Sequence, residues 1–197
     1  DKIVFLVLNK VSDKVFTGQS IGKLNHYLMI KDNVDLVVFG SSRANHHIDP
    51  IILSDKSFNM GMDGQKLAFS ATLIKLLPKN KKQLVLLHID PENAFSSKYT
   101  GKDIQSLSSK YNRNKTIKSE IDKLKQNNFI QKYYPSLSYN GSVLGILKNY
   151  FIPNYNYKTY SGYDPLFANE IQKNIFKNIL EKGVEKTNCQ NKFILNK

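Results

Sequence analysis

Polar residues suited to acyl transfer stand directly after three apolar runs of the sequence. Gly40-Ser41-Ser42-Arg43 follows the first run, Asn59-Met60-Gly61-Met62-Asp63-Gly64 the second, and Asp90-Pro91-Glu92-Asn93 the third. A serine hydroxyl at a turn between a strand and a helix is held in the open, and backbone amides at the start of the next helix can stabilise an anion. These three groups contain the components of an acyl-transfer site.

The three apolar runs are typical of strands in a parallel sheet. Val34–Phe39 is rich in β-branched and aromatic residues, Ser57–Asn59 is a weaker run, and Leu84–Ile89 repeats the composition of the first. Ligands of open α/β sheets bind beyond the carboxyl ends of the strands. We therefore expect the polar groups to meet on one rim of the sheet if the strands are neighbours.

Helical patterns lie between these strands. A short helix is expected within residues 43–53, since Pro50 disfavours helical geometry at the residue before it. Apolar residues also recur at helical spacing from Leu67 to Leu77. The alternation predicts an α/β fold with a parallel central sheet and right-handed crossovers.

The predicted sheet is small for this architecture. Phe193-Ile194-Leu195 can begin a fourth strand, but the chain ends two residues later. Open sheets of this design usually have about four to six strands. The sequence therefore predicts a truncated fold.

Residues 1–30 are assigned to a membrane-proximal or linker segment. The run Ile3–Leu8 holds six apolar residues, whereas a membrane-spanning helix needs about 20. Two interpretations stay open at this point. The run is either a short buried element or the tail of a signal or anchor that lies upstream of residue 1.

Residues 97–164 are predicted to form a helical insertion or cap rich in tyrosine and lysine. Ten of the eleven tyrosines lie between Tyr99 and Tyr163. The stretch from Lys98 to Lys132 holds nine basic and three acidic residues. A helix of this insertion is expected near residues 117–127.

After the insertion, an amphipathic helix is expected over residues 167–179, with Gly183 as its stop. The main domain accordingly spans residues 31–197. Its core is assigned to residues 31–95 and 165–197.

The first two polar groups resemble those of a known superfamily. Phe39-Gly40-Ser41-Ser42-Arg43, followed by Asn59-Met60-Gly61-Met62-Asp63-Gly64, is similar to the first two blocks of the SGNH/GDSL hydrolases, in the variant with Gly-Ser-Ser-Arg for Gly-Asp-Ser. The stretch from Val37 to Pro50 is similar to uncharacterised envelope proteins of Bacteroidota-type bacteria. The resemblance covers residues 33–93. It implies a flavodoxin-like three-layer sandwich, an extracytoplasmic location in the cell envelope, periplasmic or membrane-anchored, and a membrane anchor upstream of residue 1.

The resemblance assigns roles to three residues. Ser42 matches the nucleophile, and its backbone amide would supply one donor of the oxyanion hole. Gly64 matches the glycine of the second block, a donor whose lack of a side chain allows close approach of the substrate. Asn93 is nearest to the asparagine of the third block, although Asp90-Pro91-Glu92 replaces the usual glycines.

The general base of the superfamily is missing from this sequence. Its last block is Asp-x-x-His, a spacing that occurs nowhere in the 197 residues. Loss of a triad member lowers the rate by about 10⁴- to 10⁶-fold. A chain truncated before this block, a degenerate relative that only binds, and a substitute base are the three explanations. His46 and His47 are close to Ser42 in sequence, and on a helix His46 would face the same side as Ser42.

Structural interpretations stand beside the functional ones. Gly40-Ser41-Ser42 can be a turn followed by a helix N-cap, a position that favours serine. Arg43 can orient an anionic part of a substrate, or it can pair with Asp63 or Asp90 and hold the loops together.

No metal and no cofactor is predicted. His46, His47, His88 and Asp90 are conceivable ligands, but adjacent histidines do not easily face one ion, and no known ligand spacing is present. Cys189 is the single cysteine, which excludes a cysteine zinc cluster within the chain.

The formal charge of +13, from 29 basic and 16 acidic residues, admits several partners. Tyrosines and lysines in a cap over the rim suit a polysaccharide, especially an acidic one, although the same tyrosines can instead hold the cap to the core. A basic surface also suits nucleic acid or anionic lipid. No nucleic-acid motif accompanies the charge, so no nucleic-acid partner is expected.

The sequence thus favours an SGNH-like serine esterase or O-acyltransferase that acts on acyl groups of an envelope or extracellular glycan. The first alternative is a non-catalytic glycan-binding or assembly protein that retains the fold, and the second is a basic nucleic-acid-binding protein. Further substrate contacts are expected from five side chains: Arg43, His46, His47, Asp63 and Asp90.

Overall fold

The computed structural model of the chain describes residues 1–153, 161–166 and 169–182. Contacts divide the chain into two compact units, Asp1–Pro165 and Leu166–Lys197. In the first unit, helices alternate with three short parallel strands. The expected α/β class with a parallel sheet is therefore confirmed.

The three strands lie where the sequence predicts them. They are β1 (Leu36–Phe39), β2 (Ser57–Asn59) and β3 (Leu84–Leu87), in the order β2-β1-β3. Val37 is aligned with Phe58 on one side and with Val85 on the other. The order 2-1-3 is compatible with the flavodoxin-like class, in which the chain changes direction across the sheet between β1 and β3.

Burial differs between the first and third strands, although their compositions are alike. Every residue of β1 is buried, because β1 is the central strand and both of its faces are covered. In β3, Leu84 is 58% exposed and the other three residues are partly buried. β2 and β3 are both edge strands of the sheet formed by the described strands, but β2 is fully buried. The composition that the run Leu84–Ile89 shares with β1 therefore does not imply the same degree of burial.

Helices of the described residues account for about half of the chain. The α-helices are α1 (Lys2–Ser12), α2 (Lys23–Ile30), α3 (Ser42–His47), α4 (Leu67–Ile74), α5 (Pro91–Ala94), α6 (Lys115–Lys123), α7 (Phe129–Tyr133), α8 (Val143–Phe151) and α9 (Glu170–Lys182). A π-helical turn spans Gly18–Gly22, and two 3₁₀-helices span Lys102–Lys110 and Pro135–Tyr139. The helices expected within residues 43–53 and from residue 67 onward are α3 and α4.

The main core lies between one face of the sheet and helices α2 and α4. Val37, Phe39 and Phe58 point to this face. They pack with Tyr27 of α2, whose ring lies 5.7 Å from that of Phe39, and with Leu73 of α4. Burial of such large apolar side chains is the main stabilising contribution to the unit.

The opposite face of the sheet carries a smaller cluster. Leu36 and Val38 of β1 pack there against Ala44 of α3, with Ile48 and Leu86 at the margin. Helix α3, which begins at Ser42, is thereby fixed to the face of the central strand.

The predicted insertion is not a separate cap. Ile104 and Leu107 of the first 3₁₀-helix and Ile117 and Ile121 of α6 are all buried in the main core. Two tyrosines of the segment, Tyr99 and Tyr111, also pack against this core. Part of residues 97–164 therefore completes the core of the first unit.

The N-terminal 30 residues also differ from the expected linker. Leu24 and Tyr27 belong to the main core, so α2 is part of the domain. The run Ile3–Leu8 lies in α1, where Phe5 and Leu8 pack against a second cluster that includes Tyr139. Its other four residues are exposed, so the interpretation of the run as a buried element is wrong.

The second unit is described by α9. This helix matches the amphipathic helix expected after the insertion, with its start shifted to Glu170. Phe167, Gly183 and Phe193-Ile194-Leu195, for which the sequence predicts a helix start, a helix stop and a fourth strand, lie outside the described residues. Over the described part of the chain, no helix combines the length and the apolar content that crossing a bilayer requires.

Candidate functional site

A cavity of about 220 Å³ lies at the carboxyl ends of β1 and β3. This is the position at which open sheets of the 2-1-3 order bind ligands, because the loops of two adjacent strands diverge there. Its lining includes Gly40, Ser42 and Arg43 of the first group, Gly64 of the second and Asp90 of the third, together with His88.

The turn before Ser42 depends on a glycine. Gly40 has a φ of +148°, and a Cβ atom there would lie 2.8 Å from the Cβ of His88 and 2.9 Å from that of Ala44. Only glycine allows the chain to leave β1 and enter α3 this tightly. Ser41 is the N-cap and Ser42 the first residue of α3, so the partly exposed Ser42 stands at the strand-to-helix turn beside the cavity.

Backbone hydrogen bonds hold the second loop beside this turn. The amide of Met60 donates to the carbonyl of Val38 at 2.7 Å, and that of Met62 donates to the carbonyl of Gly40 at 3.0 Å. Gly64 follows with a φ of +72° and no heavy atom within 4 Å of the place a Cβ would take. The loop therefore brings an unobstructed backbone segment to the same cavity as Ser42.

Asn59 connects this loop to α3. Its side-chain amide donates to the carbonyls of Ala44 and Ile48, both at 2.7 Å, while its Oδ1 accepts from the amide of Gly61 at 2.8 Å. The side chain is fully buried, so these bonds form away from competing water. Asn59 thus fixes the C-terminal end of α3 against the loop that carries Gly64.

The residues that follow β3 contribute His88 and Asp90. The backbone amide of His88 donates to the carbonyl of Phe39 at 2.9 Å, which places its side chain next to the turn. Its Nδ1 is buried and has no hydrogen-bond partner within the part of the chain that the structure describes. Asp90 lies 3.9 Å from the guanidinium of Arg43, so Arg43 pairs with Asp90 rather than with Asp63.

For Asn93, the structure describes the backbone only. Asn93 lies in α5, and its neighbour Ala94 lines the cavity. The role of its side chain in an oxyanion hole stays a prediction.

His46 and Asp63 do not line the cavity; they belong to a polar cluster behind it. His46 Nε2 lies 3.0 Å from Asp63 Oδ1, and its Nδ1 lies 2.6 Å from the backbone carbonyl of Asp164. Gln19 joins the two carboxylates, at 3.1 Å from Asp63 and 2.9 Å from Asp164. Both ring nitrogens of His46 are therefore engaged by Asp63 and Asp164, and His46 is not among the residues that line the cavity of Ser42. His47 is exposed and does not line the cavity either.

The electrostatics of the cluster agree with this geometry. Burial by itself lowers the pKa of His46, but the Asp164 carbonyl and the Asp63 carboxylate outweigh it and hold the pKa above its ordinary value. Burial likewise raises the pKa of Asp63, but hydrogen bonds from Asn45, His46 and Gln19 bring it below its ordinary value. The pair is thus stabilised as imidazolium and carboxylate.

Lys23 is the most deeply buried member of the cluster. Its ammonium group donates to Asn45 Oδ1 at 2.6 Å and to the carbonyl of Gly61. Burial lowers the pKa of Lys23 to about 7, although the nearby carboxylates of Asp164 and Asp63 favour the charged form. Lys23 thereby links α2 to both α3 and the second loop.

Sequence reasoning named His88 only as a conceivable metal ligand and missed it as a residue of this cavity; it also missed Lys23 and Asn59 as supports. His88 directly follows β3, so the rule that ligands bind at the ends of strands could have identified it. Nothing in the local sequence marks Lys23, whose partners lie more than 20 positions away.

Neither a metal site nor a similar known protein indicates the chemistry of the cavity. Among the described residues, no three His, Cys, Asp or Glu side chains are grouped so that they could hold a metal ion. Comparisons of the chain with protein-family models, with curated proteins and with solved structures found no match.

Proposed function

We propose that the chain is an SGNH-like serine esterase or O-acyltransferase that acts on acyl groups of an envelope or extracellular glycan. The observation that carries this proposal is the cavity shared by Ser42, Gly64 and His88, which come from three separate segments. The same proposal includes a three-layer SGNH-like sandwich as the fold and an extracytoplasmic location.

In the proposed reaction, Ser42 Oγ attacks the carbonyl carbon of an ester while His88 accepts the hydroxyl proton. The carbonyl oxygen becomes an oxyanion, held by the backbone amides of Ser42 and Gly64. Collapse of this intermediate breaks the ester bond, and the departing sugar hydroxyl takes the proton from His88. Water or a second hydroxyl then attacks the acyl-enzyme and gives its proton to His88. The bond between the acyl group and Ser42 Oγ breaks, and His88 returns the proton to Ser42 Oγ, which restores the free serine.

His88 is the base favoured by position. All four histidines lie in the described residues, and of these only His88 lines the cavity. Its Nδ1 has no partner there that would fix the tautomer. In a serine hydrolase, replacing the carboxylate that orients the histidine costs about 10⁴-fold in rate. We therefore expect slow turnover from these residues alone.

The experiment is labelling with a fluorophosphonate probe together with hydrolysis of p-nitrophenyl acetate. Ser42→Ala is expected to abolish both. Ser41→Ala is the matched control, since Ser41 lines the same cavity and makes no side-chain cap bond to α3; this variant is expected to retain labelling. Undiminished labelling of Ser42→Ala, or no labelling of the unmodified protein, would refute the proposal. Full labelling of His88→Asn would assign the base elsewhere.

A non-catalytic glycan-binding protein is the second candidate. It is favoured by the absence of Asp-x-x-His from the 197 residues and by the lack of a hydrogen-bond partner for His88 Nδ1 among the residues that the structure describes. This candidate predicts hydrolysis no faster than background together with saturable binding of a glycan.

A further inference from the structure

A second cavity adjoins the first. It has a volume of about 610 Å³ and shares Gly64, Gln65 and Lys66 with the cavity of Ser42. Its remaining lining comes from residues 96–106, which lead into the first 3₁₀-helix. A ligand with its ester at Ser42 would pass over residues 64–66 into this second space.

The second cavity is lined by three lysines: Lys66, Lys98 and Lys102. Lys98 and Lys102 are exposed, and no carboxylate of the described side chains lies within 4 Å of either. Because these side chains carry positively charged ammonium groups, the walls of the cavity attract anions.

Asp103 is the one acid among the described lining residues, and hydrogen bonds hold its carboxylate in place. Its carboxylate accepts from the hydroxyl of Tyr99 at 2.9 Å, from the amide of Phe69 at 2.9 Å and from the amide of Lys66 at 3.2 Å. Hydrogen bonds of this kind satisfy a carboxylate locally. These neutral donors leave the negative charge of Asp103 in place, so the three lysines and this one acid give the lining a formal net charge of +2.

The remaining lining groups suit a hydroxyl-rich ligand. Ser96, Thr100, Gln105 and Ser106 add hydroxyl and amide groups that can donate and accept hydrogen bonds. Tyr99 is the one aromatic side chain of the described lining, and its hydroxyl is occupied by Asp103 and by the amide of Ala68. Successive bases of a nucleic acid need several aromatic faces for stacking, so the lining favours sugars.

We infer that the second cavity binds the carboxylate-bearing sugars of an acidic polysaccharide, whose acyl ester lies at Ser42. This inference rests on the proposed function and narrows its substrate to anionic glycans. The lysines would contact the carboxylates through charge, and the hydroxyl and amide groups would contact the sugar hydroxyls.

The test is calorimetric binding of hexagalacturonate to the full chain carrying Ser42→Ala, with maltohexaose as the neutral counterpart. Hexagalacturonate is expected to bind, and maltohexaose to bind at least about tenfold more weakly. Reversing two charges with Lys98→Glu/Lys102→Glu is expected to weaken hexagalacturonate binding by about tenfold or more. Lys98→Gln/Lys102→Gln should weaken it to an intermediate degree and serves if the double glutamate variant does not fold.

The matched control is Lys79→Glu/Lys82→Glu. These two lysines are also exposed, but they precede β3 and so lie at the opposite rim of the parallel sheet. Charges beyond about 10 Å are largely screened at an ionic strength of about 0.1 M, so this pair is expected to change binding by less than about twofold. Equal weakening by both pairs would overturn the inference, because it would show a general effect of net charge.

The remaining outcomes separate this inference from the proposed function. No binding of hexagalacturonate, equal binding of maltohexaose, or tighter binding of a single-stranded oligonucleotide would each overturn the anionic-glycan site. Binding does not depend on turnover, since Ser42 is absent from the protein used. Loss of the glycan site with intact fluorophosphonate labelling of the unmodified protein would thus leave the hydrolase proposal standing. Binding of hexagalacturonate that depends on Lys98 and Lys102, without fluorophosphonate labelling of the unmodified protein, would support the anionic-glycan site and refute the hydrolase proposal.

Discussion

The ammonium group of Lys23 lies 2.6 Å from the side-chain oxygen of Asn45, in the interior of the first unit. Lys23 begins α2 and Asn45 lies in α3, so this bond joins the helix of the main core to the helix that starts at Ser42. The same ammonium group donates to the carbonyl of Gly61. One buried amine thus holds two of the three segments that form the cavity.

Lys23→Met should change how stability depends on pH. The pKa of Lys23 is lowered by burial to about 7, whereas an unfolded lysine titrates near 10.4. Between these values the unfolded state binds more protons, so the free energy of unfolding should rise with pH, by up to about 1.4 kcal/mol per unit. Urea unfolding between about pH 7.5 and 9.5 should show this rise in the unmodified protein.

In Lys23→Met the contribution of this group to the slope should vanish. Lys79→Met is the control, because Lys79 is exposed and should leave the slope unchanged. Parallel pH profiles for the unmodified protein and Lys23→Met would contradict the assignment.

Asp63→Asn should lower the pKa of His46. Burial opposes the charged imidazole, and the Asp164 carbonyl together with Asp63 reverses this effect. A raised pKa means that His46 stabilises the fold below its unfolded pKa and that this contribution is lost as the pH rises through its folded value. Removing the carboxylate charge should shrink the contribution. An NMR titration of the His46 ring would measure the change, with Asp32→Asn as a control at an exposed position. An unchanged pKa in Asp63→Asn would show that Asp63 is not the partner.

Gly40→Ala should destabilise the protein more than Gly64→Ala. A methyl group at Gly40 meets the Cβ atoms of His88 and Ala44 at less than 3 Å, whereas one at Gly64 meets nothing within 4 Å. Steric collision and backbone strain together predict that Gly40→Ala lowers the free energy of unfolding by about 3 kcal/mol. Backbone strain alone predicts about 1 kcal/mol at Gly64. Urea unfolding at a fixed pH measures both losses, and equal values would refute the tight turn.

Asp103→Ala should destabilise α4. The N-cap position of α4 is Lys66, whose side chain forms no cap. The backbone amides at the start of α4 are instead bonded to residues that are distant in sequence. The carboxylate of Asp103 accepts from the amides of Lys66 and Phe69, and the hydroxyl of Tyr99 accepts from the amide of Ala68. Loss of a cap costs about 1 to 2 kcal/mol. Thermal unfolding should show the loss in Asp103→Ala and a smaller one in Asp103→Asn, which keeps one acceptor oxygen. Equal stability of Asp103→Ala and the unmodified protein would exclude this cap.

The positions of the strands and the polar groups at their ends were predictable from the sequence. A short run of apolar, β-branched and aromatic residues such as Leu36–Phe39 favours a buried strand, and Pro50 limits the length of the helix that follows this strand. Since parallel strands end at the same rim, the meeting of Ser42 and Gly64 at one cavity followed from their order along the chain.

Only the tertiary structure decided which side chains support that cavity and which face it. Composition does not distinguish the central strand β1 from the edge strand β3, because the difference lies in what packs beside them. The burial of Lys23 and the position of His88 likewise depend on partners distant in sequence. Local patterns report the preference of a segment for helix or strand, whereas burial, pKa and side-chain contact are properties of the neighbours that folding brings together.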